Sequence, residues 1–210
     1  MKRAWIALTL SAIVAGCGCG DDPGPPSGGE PVRARAADPA PVPEGWREHV
    51  DERRGFRVSL PPDWNRAQQS LSPSMGDPVE ILLVATFPVE ESRGLCRSLS
   101  AIPPDQALVT LQERGRGAYG GPTFPPRPAS FAPDPRLPGT STWPYCVNGD
   151  DQPPIPMDDY WFGFGDAGRA FHVFVGVGRD ASPELRREAF AILDTLRFDP
   201  EVKPDWPTAG

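Results

Sequence analysis

A hairpin patterned at period two, between residues 160 and 177, constrains this chain more than any other stretch. Tyr160 to Phe164 is aromatic and strand-like, Gly165-Asp166-Ala167-Gly168 reads as a turn, and Arg169 to Val177 returns with Phe171, Val173, Val175 and Val177 on one face. That alternation is the period of a strand with one side buried, and it commits the C-terminal third to antiparallel sheet. Gly163-Phe164-Gly165-Asp166-Ala167-Gly168 also matches G-x-G-x-x-G. A dinucleotide fingerprint needs a helix after its glycines, with the helix N-terminus aimed at pyrophosphate. A strand follows here, so the glycines serve a turn and no nucleotide cofactor is implied.

The segments around the hairpin supply further elements. Ser182-Pro183-Glu184 starts a helix with an N-cap, a proline in the first position and an early acid. Leu185, Ala189, Ile192, Leu193 and Leu196 fall on one side of it, and Phe198 closes the domain. Near the front, residues 46 to 51 form a first strand, and Arg53-Arg54-Gly55 turns into the alternating strand Phe56-Arg57-Val58-Ser59-Leu60, which Pro61-Pro62-Asp63-Trp64 stops. Val79 to Phe87 is a longer strand, covered on both faces where it runs Ile81-Leu82-Leu83-Val84. Pro103-Pro104-Asp105 predicts a helix N-terminus, with Ala107, Leu108 and Leu111 as an apolar stripe and Gly115 as its stop. Residues 120 to 139 are rich in proline, with one short strand expected near Ala129 to Ala132.

The first sixteen residues are a secretory signal. Met1-Lys2-Arg3 is a positive start, and the apolar run from Ala4 to Ala15 is too short for the ~20 residues a membrane-spanning helix needs. Val14-Ala15-Gly16-Cys17 resembles the lipobox of bacterial lipoproteins: a branched apolar residue three before the cysteine, then two small ones. The expectation is cleavage before Cys17 and lipidation of its thiol, which places the chain on the extracytoplasmic face of the cell membrane. Two or three acyl chains on one cysteine make a stable anchor where one does not. Residues 17–44 are a disordered tether: between 18 and 44 lie seven prolines and five glycines with few large apolar side chains. The folded domain is expected over 45–199, and 200–210 is a polar tail.

Lys2 and Arg3 are the signal's only charges, so the remainder carries −9 against −7 for the whole chain. Such a chain is repelled by phosphate backbones, which excludes nucleic acid as a favoured partner. Of the four cysteines, Cys17 is assigned to lipid. Cys96 and Cys146 lie inside the predicted domain, and in an oxidising compartment they are expected to pair, with two buried free thiols as the alternative. The loop closed would be worth roughly 4 kcal/mol in the chain-entropy model. Cys19 is left either free or paired with another chain. No C-x-x-C spacing is present and no histidine lies near these cysteines in sequence, so no metal site is expected.

Three pieces together carry a family resemblance: Gly55-Phe56-Arg57-Val58-Ser59-Leu60-Pro61-Pro62-Asp63-Trp64, the hairpin Trp161 to Val177, and Ala189-Phe190-Ala191-Ile192-Leu193-Asp194-Thr195-Leu196-Arg197-Phe198. This pattern resembles the PsbP-like group of extracytoplasmic proteins, including the LpqN-type lipoproteins of actinobacteria. The resemblance covers about 150 residues. It implies an α+β fold, an antiparallel β-sheet flanked by helices on both faces in an α/β/α sandwich. It supplies no catalytic residues, and it implies an accessory or binding role.

No catalytic motif stands out in the chain. There is no G-x-S-x-G and no S-x-x-K, and the two histidines, His49 and His172, sit in predicted strands. The acidic pairs Asp150-Asp151 and Asp158-Asp159 fit no calcium loop. Trp46, Trp64, Trp143, Tyr145, Tyr160 and Trp161 either pack or line a groove for a sugar or a peptide. The leading expectation is a membrane-anchored, non-enzymatic binding or accessory module of the cell envelope, with an envelope protein as possible partner and no cofactor. The alternatives are a cell-envelope hydrolase using His172 or His49 with an aspartate, and a carrier of a small apolar ligand or lipid.

Overall fold

A computed structural model of the chain describes residues 35–68, 70–71, 77–89, 102–115, 124–132 and 157–202. Within them lie eight strands and one helix in two antiparallel sheets. A small sheet joins β1 (Arg47–Asp51), β2 (Phe56–Leu60) and β8 (Arg197–Phe198) in the order β1-β2-β8. A larger one joins β3 (Asn65–Arg66), β4 (Val79–Ala85), β5 (Ala107–Glu113), β6 (Met157–Asp166) and β7 (Arg169–Gly178) in the order β3-β4-β5-β7-β6.

The sequence hairpin is β6 and β7. It pairs from Asp166↔Arg169 to Met157↔Gly178, closed by Ala167 and Gly168, both at positive φ. Two such residues make the turn whose twist matches that of the strands. The rest of the large sheet follows its register. Leu82, Leu111, Val173 and Phe162 form one row, and Val84, Val109, Val175 and Tyr160 the next. Both rows face the main core. A bulge between Glu80 and Leu82 turns Ile81 and Leu82 into that same core, which a regular strand would not allow.

The core is closed on its other side by the small sheet, through Phe56, Val58 and Leu60, and by helix α1 (Pro183–Asp194), through Ala189, Phe190, Ile192 and Leu193. Each such side chain, once fully buried, contributes about 1.5–3 kcal/mol. α1 begins as its sequence predicts: Ser182 Oγ accepts from Leu185 N at 3.1 Å, with Pro183 in the first turn and Glu184 after it. Its last turn carries no basic residue of its own. The buried guanidinium of Arg127, far away in sequence, donates there instead, to the carbonyls of Leu193 and Asp194 at 2.8 Å and to that of Leu196. A cation at this end satisfies orphan carbonyls and opposes the helix dipole. Asp166 pairs with Arg127 at 3.2 Å. Thr195 Oγ1 ties the same end to β2 by accepting from Ser59 N at 2.9 Å.

The expected α/β/α sandwich, with helices on both faces of one sheet, is corrected by this arrangement. Among the described residues a single helix shares one face of the large sheet with a second sheet. The other face is packed by Leu71, Ile102 and Met157, with Ala67, Phe87 and Val89 beside them. The main cause is residues 103–115, read as a helix. Pro103 to Gln106 form a turn, with Gln106 N donating to Pro103 O, and Ala107–Glu113 is the central strand β5. All seven of its residues are buried, so no polar side existed to reveal a period of two. The short strand expected near Ala129 is likewise absent; the local sheet contact is a bridge between Pro126 and Gly165.

A buried ion pair braces the centre of the large sheet and reaches the small one. Arg169 on β7 donates through Nε to Glu113 Oε1 at 2.7 Å and through Nη2 to Oε2, with the two side chains 4% and 2% exposed. Its Nη1 donates to Gly55 O, in the turn between β1 and β2, at 3.3 Å. The rings of Phe171 and Phe198 lie 5.3 and 5.1 Å from its guanidinium carbon. Removing one partner strands a buried charge, which costs about 3–5 kcal/mol. Arg169→Met is therefore expected to lower the urea midpoint sharply. Glu113→Leu with Arg169→Met together should recover most of the loss; a double variant no more stable than the single one would contradict this account.

Candidate functional site

The sequence candidates divide by place. Cys17, Cys19, Cys96, Cys146, Trp143, Tyr145, Asp150 and Asp151 lie outside the described residues. The other singled-out residues are described, and the register of the sheets sorts them.

His49 sits on β1 opposite Val58, edge-on to Phe56 with ring centroids 6.2 Å apart. Its Nε2 is buried without a hydrogen-bond partner. Burial pushes its pKa down and Arg66 adds to that, while Asp51 opposes. His172 sits on β7, on the large-sheet face turned away from α1. There the register lines up Glu80, Gln112, His172 and Gly163 as one row across four strands. Trp161 stacks on His172 at 5.2 Å with the rings 17° apart, and Phe124 meets it edge-on at 4.8 Å. The Phe124 ring fills the space a side chain on Gly163 would take: a Cβ there would stand 2.1 Å from two ring carbons. Only glycine fits.

This polar row within an aromatic sleeve is the chemically richest place among the described residues, and sequence reasoning found half of it. His172 and Trp161 were visible in the hairpin. Glu80 and Gln112 were not, since their relation to His172 exists only through pairing across β4, β5 and β7. Glu80 has its pKa pushed up to about 7 by burial, against hydrogen bonds from Ser70 and from Leu71 N and the charge of Arg54. Burial pushes His172 down, Arg114 adds to that, and Asp77 opposes. The charges acting on Glu80 and on His172 thus come from different neighbours. Glu80 is two strands from His172, roughly 10 Å at ordinary strand spacing, and the pair does not act as an acid–base couple. Among the described residues neither histidine forms an ion pair with a carboxylate.

The remaining candidates go to structure. Asp158 and Asp159 occupy successive positions of β6 and so point to opposite faces. Asp158 pairs with Arg186 at 2.9 Å, and Asp159 is buried on the Trp161 side. They do not converge on a cation, and no cluster of three potential ligands occurs among the described residues. Trp64 is wholly buried, its Nε1 donating to Glu188 at 3.2 Å. Tyr160 packs on Phe190 and accepts from Arg186, and Trp46 lies against the core. Trp161 differs from these: it is 38% exposed. Such a surface offers a flat aromatic face beside a neutral imidazole, suited to stacking and hydrogen bonding.

Comparison with protein-family models, curated proteins and solved structures finds no match for this chain.

Glu80 makes stability depend on pH with a definite sign. Its folded pKa lies above its ordinary 4.5, so the folded state keeps a proton that the unfolded chain has released. The resulting stabilisation is complete below about pH 4.5 and is lost as pH rises to about 7, at most about 3 kcal/mol in all. Glu80→Gln should therefore be more stable than wild type at pH 8 and nearly equal to it at pH 4. Denaturant titrations at the two pH values check this, and equal differences at both would refute it.

Proposed function

We propose that this chain is a membrane-anchored extracytoplasmic lipoprotein whose domain is a non-enzymatic binding or accessory module of the cell envelope. The lipobox ending in Cys17 supports the anchor and the location. The exposed indole of Trp161, stacked on His172, carries the binding reading: it is the largest aromatic surface that the described fold leaves open to solvent. Several charged groups of the interior have structural duties. Arg127 caps α1, Arg169 pairs with Glu113 and reaches the Gly55 carbonyl of the small sheet's turn, and Asp194 accepts from Phe131 N at 2.7 Å and Ser130 Oγ at 3.1 Å. A hydrolase would hold a histidine and a carboxylate in contact in a cleft; Asp51 and Asp77 act on His49 and His172 through charge, but neither forms an ion pair with its histidine. A carrier of an apolar molecule would need open volume where the main core holds its packed aromatic and aliphatic side chains.

Three variants test the reading in the native host. Cys17→Ala should abolish labelling by radioactive palmitate and release the chain from the membrane fraction. Trp161→Ala should lower the unfolding midpoint, since the indole stacks on His172, but leave the chain folded at the assay temperature, and abolish in-cell crosslinking to an envelope protein captured with wild type. Crosslinking that survives Trp161→Ala would move the binding surface elsewhere, and a membrane-bound Cys17→Ala chain would remove the anchor. Cys96→Ser should abolish a disulfide-linked peptide pair seen by mass spectrometry without reductant.

A further inference from the structure

The solvent side of the small sheet carries an electrostatic conflict. In the β2–β8 register Arg57 stands directly opposite Arg197, and Val50 continues the same row on β1. Like charges facing each other across a strand pair destabilise it. Arg57 has partial relief from Glu48 at 3.9 Å, in a pair about half exposed on both sides and therefore of small worth. Arg197 is exposed and makes no ion pair or hydrogen bond among the described residues. Its charge also acts unfavourably on the buried Arg127.

Arg57 and Arg197 both line a cleft of about 330 Å³. Val50, Phe198 and Val202 give it apolar lining, and three acids line it as well: Asp51, which is engaged by Arg54 and Arg66, and Glu52 and Asp199. Val50 is 45% exposed, the most exposed large apolar residue among those described. Paired arginines present a planar fork suited to an oxyanion. The acids nearby oppose a phosphate dianion more strongly than a singly charged group, and the apolar walls suit a ligand with a hydrocarbon body.

We propose that the Arg57–Arg197 cleft is a binding site for a carboxylate borne on an apolar or peptidic group. The bound carboxylate bridges the two guanidinium groups and turns their repulsion into shared attraction. This site goes beyond the binding-module reading: it lies on a different sheet from Trp161 and its test needs no envelope partner.

The test is an amide-shift titration of the purified full chain with N-acetylleucine, with N-acetylleucinamide and inorganic phosphate as the other arms, at constant ionic strength. N-acetylleucine should shift the amides of residues 55–57 and 197–199, and Arg197→Gln and Arg57→Gln should each weaken that binding by about tenfold or more. N-acetylleucinamide should give no such shifts. Without ligand, Arg197→Gln should raise the thermal midpoint, because a repulsion is removed. Equal shifts from the amide, equal binding by both variants, or no shifts at all would overturn the proposal. Tighter binding of phosphate than of N-acetylleucine would overturn its choice of carboxylate. A lower midpoint in Arg197→Gln would make the arginine a structural residue and defeat the argument from repulsion.

Discussion

A buried guanidinium, that of Arg169, stands where the two sheets of this domain meet. Arg169 reaches from β7 to Glu113 on β5, to the Gly55 carbonyl between β1 and β2, and to the faces of Phe171 and Phe198. Four separate chain segments therefore share one cation, and the small sheet is set in place by directional bonds as well as by apolar contact. Apolar burial alone tolerates sliding; a forked, planar donor does not. Arg127 repeats the device at the end of α1, where it joins the helix to the β6–β7 hairpin through Asp166. Both tasks need several fixed donors on one side chain, which lysine lacks, and lysine occurs in this chain only at positions 2 and 203.

What was legible in the sequence was local. The β6–β7 hairpin and α1 announce themselves within about a dozen residues each, through alternation, a turn and a cap. β5 carries no such sign. A central strand is covered on both faces and at both edges, so its run Ala107-Leu108-Val109-Thr110-Leu111 looks the same from inside a helix. Reading it as a helix placed helices on two faces of one sheet. The motifs behind the family resemblance cover the opening strand, the hairpin and the closing helix, all of which exist here. They say nothing of how the middle of the chain is threaded.

The candidate site divides along the same line. Strand alternation alone separates Asp158 from Asp159 and puts Trp161 beside His172 once the hairpin register is known. Glu80 and Gln112 join that row only because a bulge at Ile81 and the pairing of β4, β5 and β7 bring them there. Arg127 shows the limit most plainly. It lies in a proline-rich stretch with no period, and its role is defined by carbonyls more than sixty residues away.

The chain ahead of β1 is fastened at that same arginine. Ala37 donates to the Arg127 carbonyl at 3.1 Å and Ala40 to the Asp194 carbonyl at 2.8 Å, so two long-range backbone hydrogen bonds precede the Pro43–Trp46 turn and the strand that starts at Arg47. A load applied to the chain N-terminal of residue 37 meets this clasp before it meets a sheet. Two bonds open one after the other and release about ten residues of slack, while β1 and its pairing with β2 stay untouched until that length is drawn out. Pulled from that end, the segment would peel from the helix terminus before β1 leaves β2, with Trp46, packed on the core, as the last hold ahead of the strand.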